Sequence, residues 1–406
     1  MIGARDFLVV GVRNASVWAV VGFCVLRSLE VLLFERPLFL TTVAVAISSL
    51  MFAVVVYLKS LGNSFFRWNS SHTLAFSALA WFVVSVIAQL AFTPAVVDQN
   101  GVDSHVYLVK VTIAMFIWFF AGAGSSFSEG LRGGELYVLL LVGLFLLVLK
   151  ATNFGFFIPY DSLSGYVDSH EMNHLLLSEY MLIVCFFGYA VATPAVRVFL
   201  FAVISYILFA GGGRASFFIG VLSLVGYEFL FRYWRLGFLL AGLALALAVV
   251  GGFVVGADSA VIARMLVTEG VGADASFGGR FEQFLVGAGG FWHQALWGDI
   301  SYFVVRLGGV GNYIHNFLSA WQFYGALGFL LYAALAVKAV NSMLIRSRME
   351  SIGWLDRVFS GLLIYSIVSV LLVKAVVFST FWLTIGYWIF RSANFRTAEG
   401  GALARW

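Results

Sequence analysis

Residues 312–338 read NYIHNFLSAWQFYGALGFLLYAALAVK, a polar opening followed by about twenty apolar, aromatic or small residues interrupted only by Ser319 and Gln322. That length spans a hydrocarbon core about 30 Å thick. A histidine and an asparagine at the mouth of such a run predict a membrane-crossing helix entered from a water boundary. Eleven further apolar runs can be marked, at 15–33, 38–58, 73–93, 106–123, 136–149, 174–193, 196–211, 215–231, 236–256, 356–374 and 376–391, with this one at 316–338. The composition of the 406 residues agrees: 62% are hydrophobic and 11% charged, where a soluble domain carries about a quarter charged. A soluble reading is excluded. The expected fold class is an all-α polytopic membrane protein with about twelve transmembrane helices and a long loop, 257–315, between helices 9 and 10.

With four prolines and no long Ser/Gly/Pro tract to act as a linker, residues 1–406 are expected to form a single integral membrane domain. Arg5, Asp6 and Arg13 precede the first run and no small-residue cleavage site follows it, so that run reads as a first span. Cys24 and Cys185 both lie inside apolar runs, which leaves neither a disulfide framework nor a Cys-rich zinc site. The formal charge of +4 is spread without a basic run, so no nucleic-acid partner is expected.

Lys and Arg concentrate on the cytoplasmic side of membrane proteins. Both termini are therefore assigned to the cytoplasm, with Lys59, Arg67, Arg197, Arg232, Arg235, Lys338, Arg346, Arg348, Arg357 and Arg391 on the inner side. The outer loops are acidic, carrying Asp98 and Asp103, then Asp161, Asp168 and Glu171, then 257–315. In that last loop Arg264, Arg280 and Arg306 face Asp258, Glu269, Asp274, Glu282 and Asp299, a net negative balance. Its many aromatics argue for order, and Phe281 to Phe291 reads as a short interfacial helix.

Three polar constellations stand out. Arg214 follows Gly211-Gly212-Gly213 in an outer turn with almost no loop; it either snorkels at a span end or clamps a lipid phosphate, whose oxygens match the guanidinium fork. Ser276-Phe277-Gly278-Gly279-Arg280 repeats the pattern of glycines leading into arginine, and the bland alternative is an exposed pair of Arg280 with Glu282 or Asp274. In the quoted stretch, helical spacing puts His315, Ser319 and Gln322 on one stripe. Histidine exchanges a proton near neutral pH, which suits general-base work on a hydroxyl; a satisfied interfacial histidine is the other reading. His170 and His174 lack a zinc-ligand spacing, so no metal is expected.

Taken in order, Arg214 in a short outer turn, Gly278-Gly279-Arg280 in the long outer loop, Leu296-Trp297-Gly298, and His315-Asn316 followed by Gly325-Ala326-Leu327-Gly328 resemble the O-antigen polymerase and O-antigen ligase superfamily. Met172-Asn173-His174 adds to the resemblance, which covers about residues 170–335. Where the family carries a proline before its Leu-Trp-Gly-type stretch, Gln294-Ala295 stands here. The resemblance implies a metal-independent, cofactor-free glycosyltransferase of the GT-C type in the bacterial inner membrane, with a periplasmic active site. Its donor would be a glycan on undecaprenyl pyrophosphate. Arg214 and Arg280 would neutralise the leaving pyrophosphate and His315 would activate the acceptor hydroxyl. Asn316, Arg264, Arg306, His174, Gln322 and Tyr313 would bind substrate. A ligase must dock a phosphate-rich lipid A core, for which a basic outer loop is expected. The acidic loop favours the polymerase, with a chain-length regulator as a further partner. A ligase, or a polysaccharide or lipid transporter drawing on Glu30, Glu179, Glu228 or Lys374, is the alternative.

Overall fold

The computed structural model describes residues 4–29, 70–99, 101–128, 134–153, 174–211, 214–254, 275–290, 295–310, 314–349 and 352–403, with the isolated positions 32, 158 and 292. Among these residues all regular structure is helical. In chain order the helices are α1 (Ala4–Leu29), α2 (Ser70–Phe92), α3 (Ser104–Ser125), α4 (Gly134–Ala151), α5 (His174–Val191), α6 (Pro194–Ala210) and α7 (Arg214–Leu230). They continue as α8 (Trp234–Val254), α9 (Ala275–Gly289), α10 (Ile300–Leu307), α11 (Ser319–Ser347), α12 (Trp354–Leu372) and α13 (Ser379–Leu403). Every apolar run but the second overlaps one of these helices; the second, 38–58, lies outside the described residues, as do Lys59 and Arg67.

Among the described residues four helices, α2, α3, α11 and α12, are long and apolar enough to cross a membrane. Their outward faces fit a lipid environment. On α2 the exposed side chains include Val83, Val84, Ile87 and Leu90, and on α11 Leu327, Leu330 and Val337, while Ser85, Gln89, Ser319 and Gln322 are buried. This inverts the arrangement of a soluble protein, in which contiguous apolar patches are kept small.

The chain divides into two compact units, each drawn from three separated stretches. Unit 1 comprises Met1–Met51, Ser128–Thr268 and Ile345–Tyr365; unit 2 comprises Phe52–Phe127, Glu269–Leu344 and Ser366–Trp406. In unit 1 the Tyr137 ring on α4 lies 5.3 Å from both Trp18 of α1 and Phe187 of α5, and 5.2 Å from Trp354 at the start of α12. In unit 2, α3 and α13 meet backbone to backbone. A β-carbon at Gly122 would strike the Leu383 carbonyl, and one at Gly386 the Phe119 carbonyl. Small residues permit this approach where lipid supplies no hydrophobic drive between helices. Beside the contact, Trp382 packs edge-on against Phe82 and Phe119.

Candidate functional site

The quoted stretch does not form one continuous span. α11 breaks at Gly325, whose φ of 71° and ψ of −176° separate a short helical piece, 319–324, from the long piece that follows. Glycine is required there: φ is in the left-handed region, and a β-carbon would run into the Leu296 carbonyl. The fold-back is visible in the rings, since Phe317 and Phe329 lie 5.8 Å apart although twelve residues separate them.

A broken helix leaves backbone groups without intrahelical partners, and in an apolar surround each must be met by something else. Here the partners come from α2 and from residues 295–300, all within unit 2. Gln89 donates from Nε2 to the carbonyls of Phe323 (2.7 Å) and Trp297 (2.9 Å), and its Oε1 accepts from the Ile300 N–H at 3.0 Å. Trp81 Nε1 and Ser85 Oγ donate to the Tyr324 carbonyl at 3.1 and 3.3 Å. The 295–299 segment pairs antiparallel with the break: Asp299 N–H donates to the Gln322 carbonyl (3.1 Å) and Ala326 N–H to the Ala295 carbonyl (2.8 Å). Below it, the Tyr324 hydroxyl meets Thr112 Oγ1 at 3.0 Å and Met115 Sδ at 3.0 Å. The Leu-Trp-Gly stretch, a turn ending at Gly298 with φ 82°, is thus the partner of the elbow.

His315 therefore does not share a helical stripe with Ser319 and Gln322, which corrects the sequence expectation. Asn316 delays the helix. Its Oδ1 accepts from the Leu318 N–H at 2.9 Å, an Asx turn, and its carbonyl accepts from the Ser319 N–H (3.0 Å) and hydroxyl (2.7 Å). Ser319 Oγ in turn accepts from the Val376 N–H at 2.6 Å. His315 lies half-buried in the turn ahead of the helix. The residues are nevertheless joined, because Gln322 Oε1 accepts from the Ile314 N–H at 2.8 Å. That bond fixes the carboxamide orientation, since a backbone N–H can face only the oxygen. Gln322 Nε2 then points its N–H groups into a buried position with no hydrogen-bond partner. α9 closes on this point: a β-carbon at Gly287 would meet the Ile314 side chain and lie 2.8 Å from Gln322 Nε2.

α9 contains Gly278-Gly279-Arg280 within helix, where an open loop was expected, and extends the predicted interfacial helix to Ala275–Gly289. Its outward face shows Phe281, Phe284 and Leu285. Arg306 is exposed on α10 with its guanidinium 5.6 Å from the Tyr302 ring, so it is not drawn into the Ile314–Gln322 turn. Asp98 and Asp103 are occupied structurally: Asp98 accepts from the Val102 and Val310 N–H groups (2.8 and 3.2 Å), and Asp103 caps α3. Among the described residues no cluster of His, Cys, Asp and Glu could hold a metal ion.

In unit 1, Arg214 opens α7 and His174 opens α5, and Ser178 Oγ donates to the Gly211 carbonyl at 3.2 Å, anchoring the turn before Arg214. The side chains of Arg214, His174 and Arg280, and the whole of Arg264, Tyr313, His170, Met172 and Asn173, lie outside the described residues. Glu228, counted above among intramembrane charges, is committed to a buried ion pair with Arg197.

Sequence reading missed Gln89, Ser85 and Trp81. The signal was there: they recur every fourth residue along an apolar run, one face of a helix, and polar groups inside a span face the protein interior. No protein-family model matches the chain, and no curated protein matches it.

Proposed function

We propose that the protein is a twelve-span membrane glycosyltransferase of the GT-C type, an O-antigen or related polysaccharide polymerase. It would transfer a glycan from undecaprenyl pyrophosphate to the acceptor sugar of another lipid-linked repeat unit at the periplasmic face. The observation that carries the reading is the polar turn held at the helix break, where half-buried His315 follows Ile314, whose N–H is bonded by a Gln322 amide with no partner for its own N–H groups among the described residues. An unpartnered buried donor is costly, about 1–3 kcal/mol, and a substrate oxygen would satisfy it.

In the reaction, the acceptor hydroxyl attacks the anomeric carbon of the donor, a new glycosidic C–O bond forms, and the C–O bond to pyrophosphate breaks with its electron pair leaving on phosphate. His315 takes the hydroxyl proton. Arg214 and Arg280 neutralise the charge growing on the leaving group, with Arg264, Arg306, His174 and Tyr313 completing the substrate contacts. Asn316 uses its side-chain oxygen in the turn, which leaves its amide N–H groups to orient the acceptor. The acidic outer loop favours a lipid-linked repeat unit over a phosphate-rich core as acceptor.

The test is purified protein given undecaprenyl-pyrophosphate repeat units as both donor and acceptor, scored for a ladder of longer glycans. A ladder supports the polymerase. Products only on adding lipid A core would make it a ligase, and absence of transfer with either acceptor would leave the transporter reading.

A further inference from the structure

A second buried polar cluster lies in unit 1, where the start of α6, the end of α7 and the start of α12 converge. Arg197 is 2% exposed and Glu228 fully buried. Arg197 Nη1 donates to both carboxylate oxygens of Glu228, at 2.8 and 2.9 Å, and the Tyr189 hydroxyl donates to Oε1 at 2.7 Å. The Arg197 guanidinium lies over the Tyr233 ring at 4.6 Å and near the Tyr227 ring at 5.8 Å. A second guanidinium joins from α12: Arg357 stands 5.8 Å from the Phe231 ring, which itself contacts Tyr227 at 4.8 Å. Arg357 is therefore one ring contact removed from Tyr227.

The cluster is not closed. Among the described residues Glu228 is ion-paired with Arg197 alone, Arg357 adds a second guanidinium nearby, and the neighbouring Asp356 is already paired with Arg346 at 3.1 Å. Arg197 Nε, Arg357 Nε and the Tyr227 hydroxyl are all buried without a hydrogen-bond partner. Three orphan donors beside an excess of positive charge are the kind of groups that a tetrahedral oxyanion satisfies, since its several oxygens accept charge-assisted hydrogen bonds. The surrounding surface carries exposed Val196, Phe199, Trp234 and Phe238 together with exposed Arg232 and Arg235, the mix of apolar and basic side chains expected where hydrocarbon meets headgroups. Basic pockets between membrane helices take anionic headgroups.

We propose that Arg197, Arg357 and Tyr227 form a phosphate-binding site for the headgroup of an anionic lipid, distinct from the transfer site and independent of it. The arginine distribution assigns this end to the cytoplasmic face, where the ligand would brace α6, α7 and α12 together.

The full chain in phosphatidylcholine nanodiscs tests this by its thermal unfolding midpoint. One arm titrates in phosphatidylglycerol; the other adds inorganic phosphate against chloride at equal ionic strength. Wild type should rise in midpoint with phosphatidylglycerol, and a matching rise with inorganic phosphate would identify a soluble source for the same oxyanion site. Arg357→Gln should weaken the apparent affinity about tenfold or more, Arg357→Lys by less, and Arg235→Gln, on the exposed turn, not at all. Should Arg357→Gln fail to fold, Tyr227→Phe replaces it, with a several-fold loss expected. An unchanged response in both Arg357→Gln and Tyr227→Phe, or no response of wild type to either ligand, overturns the site.

Discussion

Buried polarity is handled in opposite ways at two places in this protein. Where α6 meets α7, charge answers charge: Arg197 and Glu228 are taken fully from solvent and held by a tyrosine hydroxyl and by aromatic rings. At the elbow of α11, neutral side chains answer backbone. Gln89, Ser85 and Trp81 meet the carbonyls that the break at Gly325 sets free. The difference bears on what each region can do. An ion pair in a low-dielectric surround is intolerant of losing one member, whereas a break capped by amides and hydroxyls holds a non-helical turn at a fixed place with no charge to strand. The first arrangement fixes helices, and the second fixes a turn.

Substitutions that remove one partner should separate the two. The largest loss of stability is expected for Glu228→Gln, which strands the Arg197 charge, at about 3–5 kcal/mol; adding Arg197→Met should recover much of it. Denaturation of purified protein in detergent measures both, and a double variant no better than the single would show that charge pairing is not what the region needs. Next comes Gln89→Leu. It leaves two carbonyls and one N–H unmet, for roughly 3 kcal/mol at the low end of about 1 kcal/mol per stranded group, and amide hydrogen exchange should quicken at Trp297 to Ile300. Gln89→Glu keeps the acceptor for Ile300 but loses both donors, so exchange at Ile300 should stay slower than in Gln89→Leu. Equal protection in all three proteins would remove Gln89 from the elbow. The smallest effect belongs to Tyr324→Phe, which deletes a neutral hydroxyl bonded to Thr112 and Met115, at about 1 kcal/mol by the same denaturation.

Much of the architecture is legible in the chain. Apolar runs announce helices because backbone polar groups in hydrocarbon must be satisfied locally, and the helices overlap every run within the described residues. α10 is not expected, because the whole of 257–315 reads as loop apart from Phe281 to Phe291, although it carries a helix's end signals: Asp299 accepts from the Tyr302 N–H as its cap and Gly308 ends it with φ 77°. Nor is the elbow. Gly325-Ala326-Leu327-Gly328 reads equally well as close packing of an unbroken helix, and the break is made favourable by distant partners, the 295–299 segment some 27 residues upstream and Gln89, Ser85 and Trp81 of α2. The same holds for His315. Helical spacing counted from it fails because Asn316 prefers its Asx turn, so contact with Gln322 arises through the Ile314 N–H. The pairing of Arg197 with Glu228 joins residues 31 apart, which reading each charge beside its own span end cannot reveal.

His315 is the group proposed to activate an acceptor, at a turn held in place by others. The most direct measurement of that role is the rate of glycan transfer between undecaprenyl-pyrophosphate repeat units by purified wild type and His315→Ala, compared at equal folded protein. The expected transfer rate is about 10²- to 10⁴-fold lower for His315→Ala, with the unfolding midpoint and donor binding retained. Transfer by His315→Ala at the wild-type rate, or a rate loss that follows only the loss of folded protein, would contradict it.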